Sequence, residues 1–396
     1  MRARKNCPPA EKADAIRPFR GLEPYRAALL ALADQSRLRT LEPRSGIDIT
    51  SNDYLGLARS ARLTNALRAA ISLGTLIGST GSRLLRGNAP EHEELEFAAA
   101  AFFQAECALF FGSGYAANFA VFSTLPQPGD MVILDELSHA SAREGVRAAR
   151  SATILARHND PGAVEAAIDS WRRSGGVGRI WIAVESLYSM DGDRAPLQDL
   201  MTIADRNEAF LVIDEAHATG VFGPDGRGLA ASLEGRENVI VLHTCGKALG
   251  GAGALLTLPR ILRDFLVNRC RSFIFSTAPS PLMAVAALES LAILKDEPAL
   301  REDLARLVAY AGDLAQSRCG LPISHSQILP IIVGGDFAVM QLASRLREQG
   351  FDVRGVRPPS VPKGTARLRI SITLNVTRAH ILSLFEALAG LRVGAI

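Results

Sequence analysis

The chain of 396 residues contains no run of 18 apolar residues, which excludes a membrane-spanning helix. It also lacks paired cysteines. Cys7, Cys107, Cys245, Cys270 and Cys319 are odd in number, widely spaced and without a CxxC pair, the pattern of free thiols in a reducing compartment. Charge of one sign is scarce as well: 44 Lys+Arg against 41 Asp+Glu leave a net +3, with no basic stripe interleaved with aromatics. Nucleic acid is therefore not an expected partner, and no metal site is expected. The start, MRARKNCPPAEKADAIRPFRG, is basic but has no apolar stretch behind its charges. It reads as a tail rather than a secretory signal, and its Pro pair and acidic residues argue against an organelle transit peptide. The expected location is cytoplasmic.

What is present is an ordinary globular composition, with 48% hydrophobic and 21% charged residues. The length suits two or three units at roughly 150 residues per domain. Short, wholly apolar runs recur between longer amphipathic stretches: ALFF at 108–111, MVIL at 131–134, IWIAV at 180–184, FLVI at 210–213, VIVL at 239–242 and ALLTL at 254–258. Such runs suit strands buried on both faces, with crossover helices between them. The expectation is an α/β fold with a mainly parallel sheet, whose ligand sites lie at the carboxyl ends of strands. Past about residue 285, helical patterns (VAALESLAILKDE, REDLARLVAYAGDL, FAVMQLASRLREQG) alternate with the strand candidates ILPIIV, FDV and LRIS. These read as a smaller α+β domain. The expected division is an N-terminal segment of residues 1–50, a large domain of 51–285 and a small domain of 286–396. The first segment carries one helix, from Pro24 to Arg37, lying against one of the two domains.

The loops behind the strands carry the chemistry. ALFF is followed by Gly112-Ser113-Gly114-Tyr115-Ala116-Ala117-Asn118. A glycine turn entering a helix offers free N–H groups and a positive dipole end to a phosphate. The same letters fit a GxGxxA dinucleotide fingerprint, with Asp130 and Asp135 downstream, or a plain tight turn. MVIL leads to His139 between Ser138 and Ser141, a ring that either stacks on an aromatic ligand or caps a helix. IWIAV leads to Glu185 through Asp193, a loop rich in hydroxyls and carboxylates. FLVI leads to Asp214-Glu215-Ala216-His217; these letters also spell a helicase DEAH box, but no GxxxxGK[ST] loop accompanies them. Asp214 thus reads either as a carboxylate facing a cationic heterocycle, with His217 beside it, or as a solvated loop acid. VIVL leads to Thr244 and to Lys247 among glycines, where desolvation makes an amine nucleophile; the bland reading is an exposed loop lysine. Taken together, an anion cradle, a stacking ring, a carboxylate and a lysine are what pyridoxal phosphate requires.

The strings TSNDYLGLARS, GSTGSRLLRGNAPEHEELE, FGSGYAAN, DELSHAS, SMDGDRAPL, IDEAHATGVFGPDGRG, GKALGGAG and RPPSVPKGTARLRIS, in that order from residue 50 onward, resemble the α-oxoamine synthases. These are pyridoxal-phosphate enzymes of fold type I. The resemblance implies a large cofactor domain with a mainly parallel sheet, a smaller C-terminal domain, and a homodimer with active sites at the interface. It implies that Lys247 carries the cofactor, Asp214 faces the pyridine nitrogen and His139 stacks on the ring and acts on the substrate. His217 and Ser189 would bond the ring oxygen, and Thr244 with the backbone of Gly114 and Tyr115 would hold the phosphate. Thr277 would reach the neighbouring subunit's phosphate. Arg369 would take the amino-acid carboxylate in a planar, two-bond grip, with Asn52, Ser360 and either Arg37 or Arg39 as further substrate residues.

Within the family, GSTGSRLLRGN, SMDGDRAPL and RPPSVPKGTARLR look closest to the members that condense L-alanine with a pimeloyl thioester, carried on CoA or acyl carrier protein. The alternative is a relative using glycine or serine and another acyl thioester. Three positions depart from the family's habit: Glu215 where a second aspartate is common, Ala248 where a glycine follows the lysine, and Asn88 where an aromatic is common.

Overall fold

The computed structural model describes residues 19–391. Most of the basic start falls outside them. Seven strands form the central sheet in the order Cys107–Phe111, Ala254–Leu258, Val239–Thr244, Phe210–Asp214, Ile180–Glu185, Met131–Asp135 and Ala152–Ala156. All neighbours run parallel except Ala254–Leu258, which is antiparallel to both of its partners. That reversal follows from connection length. Residues 245–253 are too few for a crossover of a dozen or more, so the chain turns straight back.

The expected strands are all present, and their unbroken apolarity has a visible cause. Val132 and Leu134 enter one core layer while Met131 and Ile133 enter the layer on the opposite face. Ala152–Ala156, an edge strand with only Ala156 buried, was not expected from the sequence. One-sided burial removes the continuous apolar run by which the others were found.

A three-stranded antiparallel sheet follows, in the order Gly355–Val356, Ala366–Ser371 and Ile328–Gly334. The helices Ala299–Cys319, Asp336–Glu348 and Arg378–Gly390 contribute to the core beside it. Ile47–Asp48 pairs with Phe351–Asp352, and the Ser371 N–H donates to the Ile49 carbonyl at 2.9 Å. Residues 50–54 continue along this edge, the Tyr54 carbonyl accepting from the Leu374 N–H at 3.0 Å. The early helix spans Glu23–Asp34 and, contrary to expectation, packs on neither sheet. Every residue in it is exposed, Leu29 and Leu30 included.

Candidate active site

The carboxyl ends of the parallel strands bring the predicted loops to one place. Asp214 closes its strand in register with Glu185, and its Oδ2 accepts from Asn118 Nδ2 at 2.7 Å. Its Oδ1 accepts from the Ala216 N–H at 2.9 Å. Asn118 also donates to Ser141 Oγ at 3.0 Å, so the Gly114–Thr124 helix and the His139 loop are tied to the same carboxylate. Asp214 is thus a held, aimed acid rather than a solvated loop residue.

His139 takes the capping reading, and its exposure leaves the stacking one open to it. Its Nδ1 accepts from the Ser141 N–H at 3.2 Å and caps the Ala140–Ala148 helix, while the residue as a whole stays exposed. Capping fixes the ring and leaves a face for stacking.

Ser113 caps the Gly114–Thr124 helix by accepting from the Ala116 N–H at 3.1 Å. A side chain added at Gly114 would come 3.6 Å from Thr244 Oγ1, so hydroxyl and helix N-terminus lie side by side. Asp130 and Asp135, the acids a dinucleotide reading needs, are consumed elsewhere. Asp130 accepts from Gln127, Arg179 and Trp181, and Asp135 from Leu137 and Asn159.

Lys247 Nζ lies 2.6 Å from His217 Nε2, and His217 Nδ1 lies 2.6 Å from the Tyr54 hydroxyl. Burial lowers the lysine to about 8 from the ordinary 10.5, Asp214 and Glu185 opposing the fall and Arg369 adding to it. Burial, with the charges of Lys247 and Arg369, holds His217 well below the usual imidazole range. A neutral ring has one donor and one acceptor nitrogen, which matches a hydroxyl on one side and an amine on the other. His217 therefore faces the lysine itself, a contact additional to the ring-oxygen role expected for it.

Arg369 is buried on the Ala366–Ser371 strand. Its Nη1 donates to Ser371 Oγ at 2.7 Å, its Nη2 to Tyr54 Oη at 3.1 Å, and its Nε to the Ser189 carbonyl. Tyr54 also meets Asn52 Oδ1 at 3.0 Å, so Asn52, Tyr54, His217, Lys247 and Arg369 form one connected cluster. Tyr54 was not expected in the site; nothing in the order Asn52-Asp53-Tyr54-Leu55 signals what its hydroxyl meets. Glu185 was likewise given no role. It is buried, accepts from the Ser189 N–H at 3.1 Å, and burial with the neighbouring Asp214 pushes it up to about 8.

Four predicted residues stand apart from this cluster within the chain. Thr277 and Ser360 are exposed; so is Arg39, which has no partner among the described residues. Arg37 is engaged by Asp336 at 2.6 Å. Two of the three departures are held by local hydrogen bonds. Glu215 accepts from the Leu229 and Ala230 N–H groups at 3.0 and 2.6 Å, and Asn88 joins Arg83 and Glu93. Among the described residues no metal-binding cluster occurs, and no helix is long and apolar enough to cross a membrane.

The donor set fits pyridoxal phosphate: an amine of lowered basicity, a fixed carboxylate, an open imidazole face, and a helix N-terminus with a hydroxyl beside it. Comparison with known proteins agrees with the geometry. Residues 44–388 match the family model described as aminotransferase class I and II. The chain is 42% identical to an 8-amino-7-oxononanoate synthase of Chromobacterium violaceum, over 89% of both chains. It is 40% identical to another from Citrifermentans bemidjiense, over 92% of both. Among solved structures it is similar to serine palmitoyltransferase from S. paucimobilis bound to a PLP–myriocin adduct, at a TM-score of 0.83 and 26% identity, covering 96% of this chain and 100% of that one. It is also similar to 8-amino-7-oxononanoate synthase from Francisella tularensis, at 0.74 and 27%, covering 88% and 98%.

Proposed function

The chain belongs to the aminotransferase class I and II family and, within it, to the α-oxoamine synthases, and on that premise we propose its reaction and the residues that perform it. It is a pyridoxal-phosphate-dependent acyltransferase of biotin biosynthesis. It joins L-alanine to a pimeloyl thioester of CoA or acyl carrier protein, giving 8-amino-7-oxononanoate, carbon dioxide and free thiol. The bound cofactor supplies an aldehyde for amine capture and a ring that withdraws electrons from the amino-acid Cα.

The residues divide the remaining work. The Gly114 and Tyr115 N–H groups and the Thr244 hydroxyl hold the phosphate, and the open face of His139 stacks on the ring. Asp214, aimed by Asn118, keeps the pyridine nitrogen protonated. Arg369 takes the alanine carboxylate, and the Asn52–Tyr54 pair keeps it in place. Lys247 moves the Cα proton; an amine lowered to about 8 has a sizeable neutral fraction at physiological pH. His217 accepts from or donates to that amine according to the step, and with Ser189 it serves the ring oxygen. His139 donates to the thioester carbonyl as charge builds on it.

The observation that carries this reading is the continuous Arg369–Tyr54–His217–Lys247 network, which joins a carboxylate grip to a base. The assembly belongs to the same proposal: a cytoplasmic homodimer with interface sites. It is supported by the exposed Leu29, Leu30, Leu84, Leu85 and Phe275 and by the lack of intrachain site contacts at Thr277. Residues 51–285 would form the cofactor domain and 286–396 the smaller one. Titration of the cofactor-loaded protein with amino acids tests the donor: L-alanine perturbs the absorption band and glycine and L-serine do so only at much higher concentration. The opposite order favours the second reading, a glycine or serine acyltransferase, which the likeness to serine palmitoyltransferase supports.

A further inference from the structure

Residues 186–195 form a tight turn at the end of the Ile180–Glu185 strand. The Tyr188 N–H donates to the Asp193 carbonyl at 2.9 Å, the Gly192 N–H to the Tyr188 carbonyl at 2.9 Å, and the Ala195 N–H to the Ser186 carbonyl at 3.1 Å. The tip of the turn holds both arginines of the Ala366–Ser371 strand. The Ser189 carbonyl accepts from Arg369 Nε, the Met190 carbonyl accepts from Arg367 Nη1 at 3.3 Å, and Asp191 pairs with Arg367. One side of the turn is fixed by close approach. Gly192 has φ +71°, and a side chain there would fall 2.5 Å from Ser326 Oγ and 2.6 Å from the Ile328 carbonyl.

The other side is fixed by a histidine outside the cofactor cluster. His158 Nδ1 meets Asp135 Oδ1 at 2.9 Å, and its Nε2 meets Asp193 Oδ2 at 2.7 Å. Asn159 repeats the bridge, its N–H donating to Asp135 and its Nδ2 to Asp193 at 2.8 and 2.7 Å. The His158 ring meets Tyr188 edge-on at 4.4 Å. An imidazole with a carboxylate on each nitrogen donates from both, which makes it a charged strut between the end of the Met131–Asp135 strand and the turn.

We propose that His158 is a positioning residue: clamped between Asp135 and Asp193, it fixes the turn whose Ser189 carbonyl sets the orientation of the Arg369 guanidinium, and so governs affinity for the amino-acid carboxylate. This rests on the reading of Arg369 given above. It assigns His158 a part in substrate affinity without contact to substrate, cofactor or reacting atoms. Loosening the clamp frees the turn and lets Arg369 lose the angle its two-bond grip requires, while the Lys247–His217 contact and the Asp214 anchor stay in place.

The test compares wild type with His158→Gln and Asp193→Asn in the cofactor-loaded protein. The expected result is a rise of about tenfold or more in the KM and Kd for L-alanine, the loss of one charge-assisted hydrogen bond. The kcat at saturating alanine and the KM for the thioester stay within about threefold. In the cofactor-free proteins, amide exchange at Ser189 and Gly192 accelerates about tenfold in both variants, a readout independent of turnover. Should His158→Gln fail to fold, Asp193→Asn, which keeps its size and an acceptor oxygen, carries the test alone. Unchanged alanine affinity in a folded variant overturns the proposal, as does an equal loss in alanine KM, thioester KM and kcat. A wild-type protein that does not respond to L-alanine defeats the underlying reading instead.

Discussion

Lys247 Nζ sits 2.6 Å from His217 Nε2, and no carboxylate lies within salt-bridge distance of it among the described residues. An amine paired with a neutral ring keeps a hydrogen-bond partner without the ion pair that would lock it in the charged form. In the cofactor-free protein, acylation of Lys247 followed by peptide mapping is expected to reach half its maximal rate near pH 8, where an ordinary lysine would need about 10.5. Lys247→Ala abolishes both the cofactor absorption band and turnover.

Asp214 and Asn118 should differ in the size of their effect. Asp214→Asn removes the charge that keeps the pyridine nitrogen protonated, and kcat is expected to fall about 10³-fold with cofactor still bound. Asn118→Ala leaves the acid present but unaimed and should cost roughly tenfold. Steady-state kinetics at saturating cofactor separate the two.

Tyr54→Phe deletes a hydroxyl that serves Arg369, His217 and Asn52 together. Hydrogen bonds to charged groups contribute about 1.5–3 kcal/mol, so the KM for L-alanine should rise at least about tenfold. The base no longer has its ring oriented, so kcat falls as well, and this distinguishes Tyr54 from His158.

The His158 clamp also has a pH signature in stability. Burial opposes the charge, but the bonds to Asp135 and Asp193 outweigh it and push the imidazole up to about 10 from the ordinary 6.5. A raised base stabilises the fold fully below its unfolded value and loses that contribution as pH climbs toward the folded one. His158→Gln should therefore cost about 2 kcal/mol at pH 6, after allowing for partial exposure, and progressively less between pH 6.5 and 10. Denaturant unfolding across that range checks it.

Much of this site could be read from the order of residues because chemistry in a parallel sheet collects where strands end. Asp214, Lys247, His139 and Thr244 each follow a fully apolar run, and the fold needs only to bring those ends together. What sequence did not display is contact between elements far apart in the chain. Tyr54 meets Arg369 across 315 positions and His217 across 163, and Gln327 reaches the His217 carbonyl from the Ile328–Gly334 approach. None of these partners has a periodicity or spacing that announces it. The Glu23–Asp34 helix shows the converse: its apolar residues suggested packing within the chain, and they face outward.

The most direct test of the account is product analysis with the purified protein, pyridoxal phosphate, pimeloyl-CoA and each of L-alanine, glycine and L-serine. The expected product from L-alanine is 8-amino-7-oxononanoate, with carbon dioxide and free thiol released in equal amounts. Thiol release with glycine or serine but not with alanine, or none with any of the three when either pimeloyl-CoA or pimeloyl carrier protein is supplied, would contradict it.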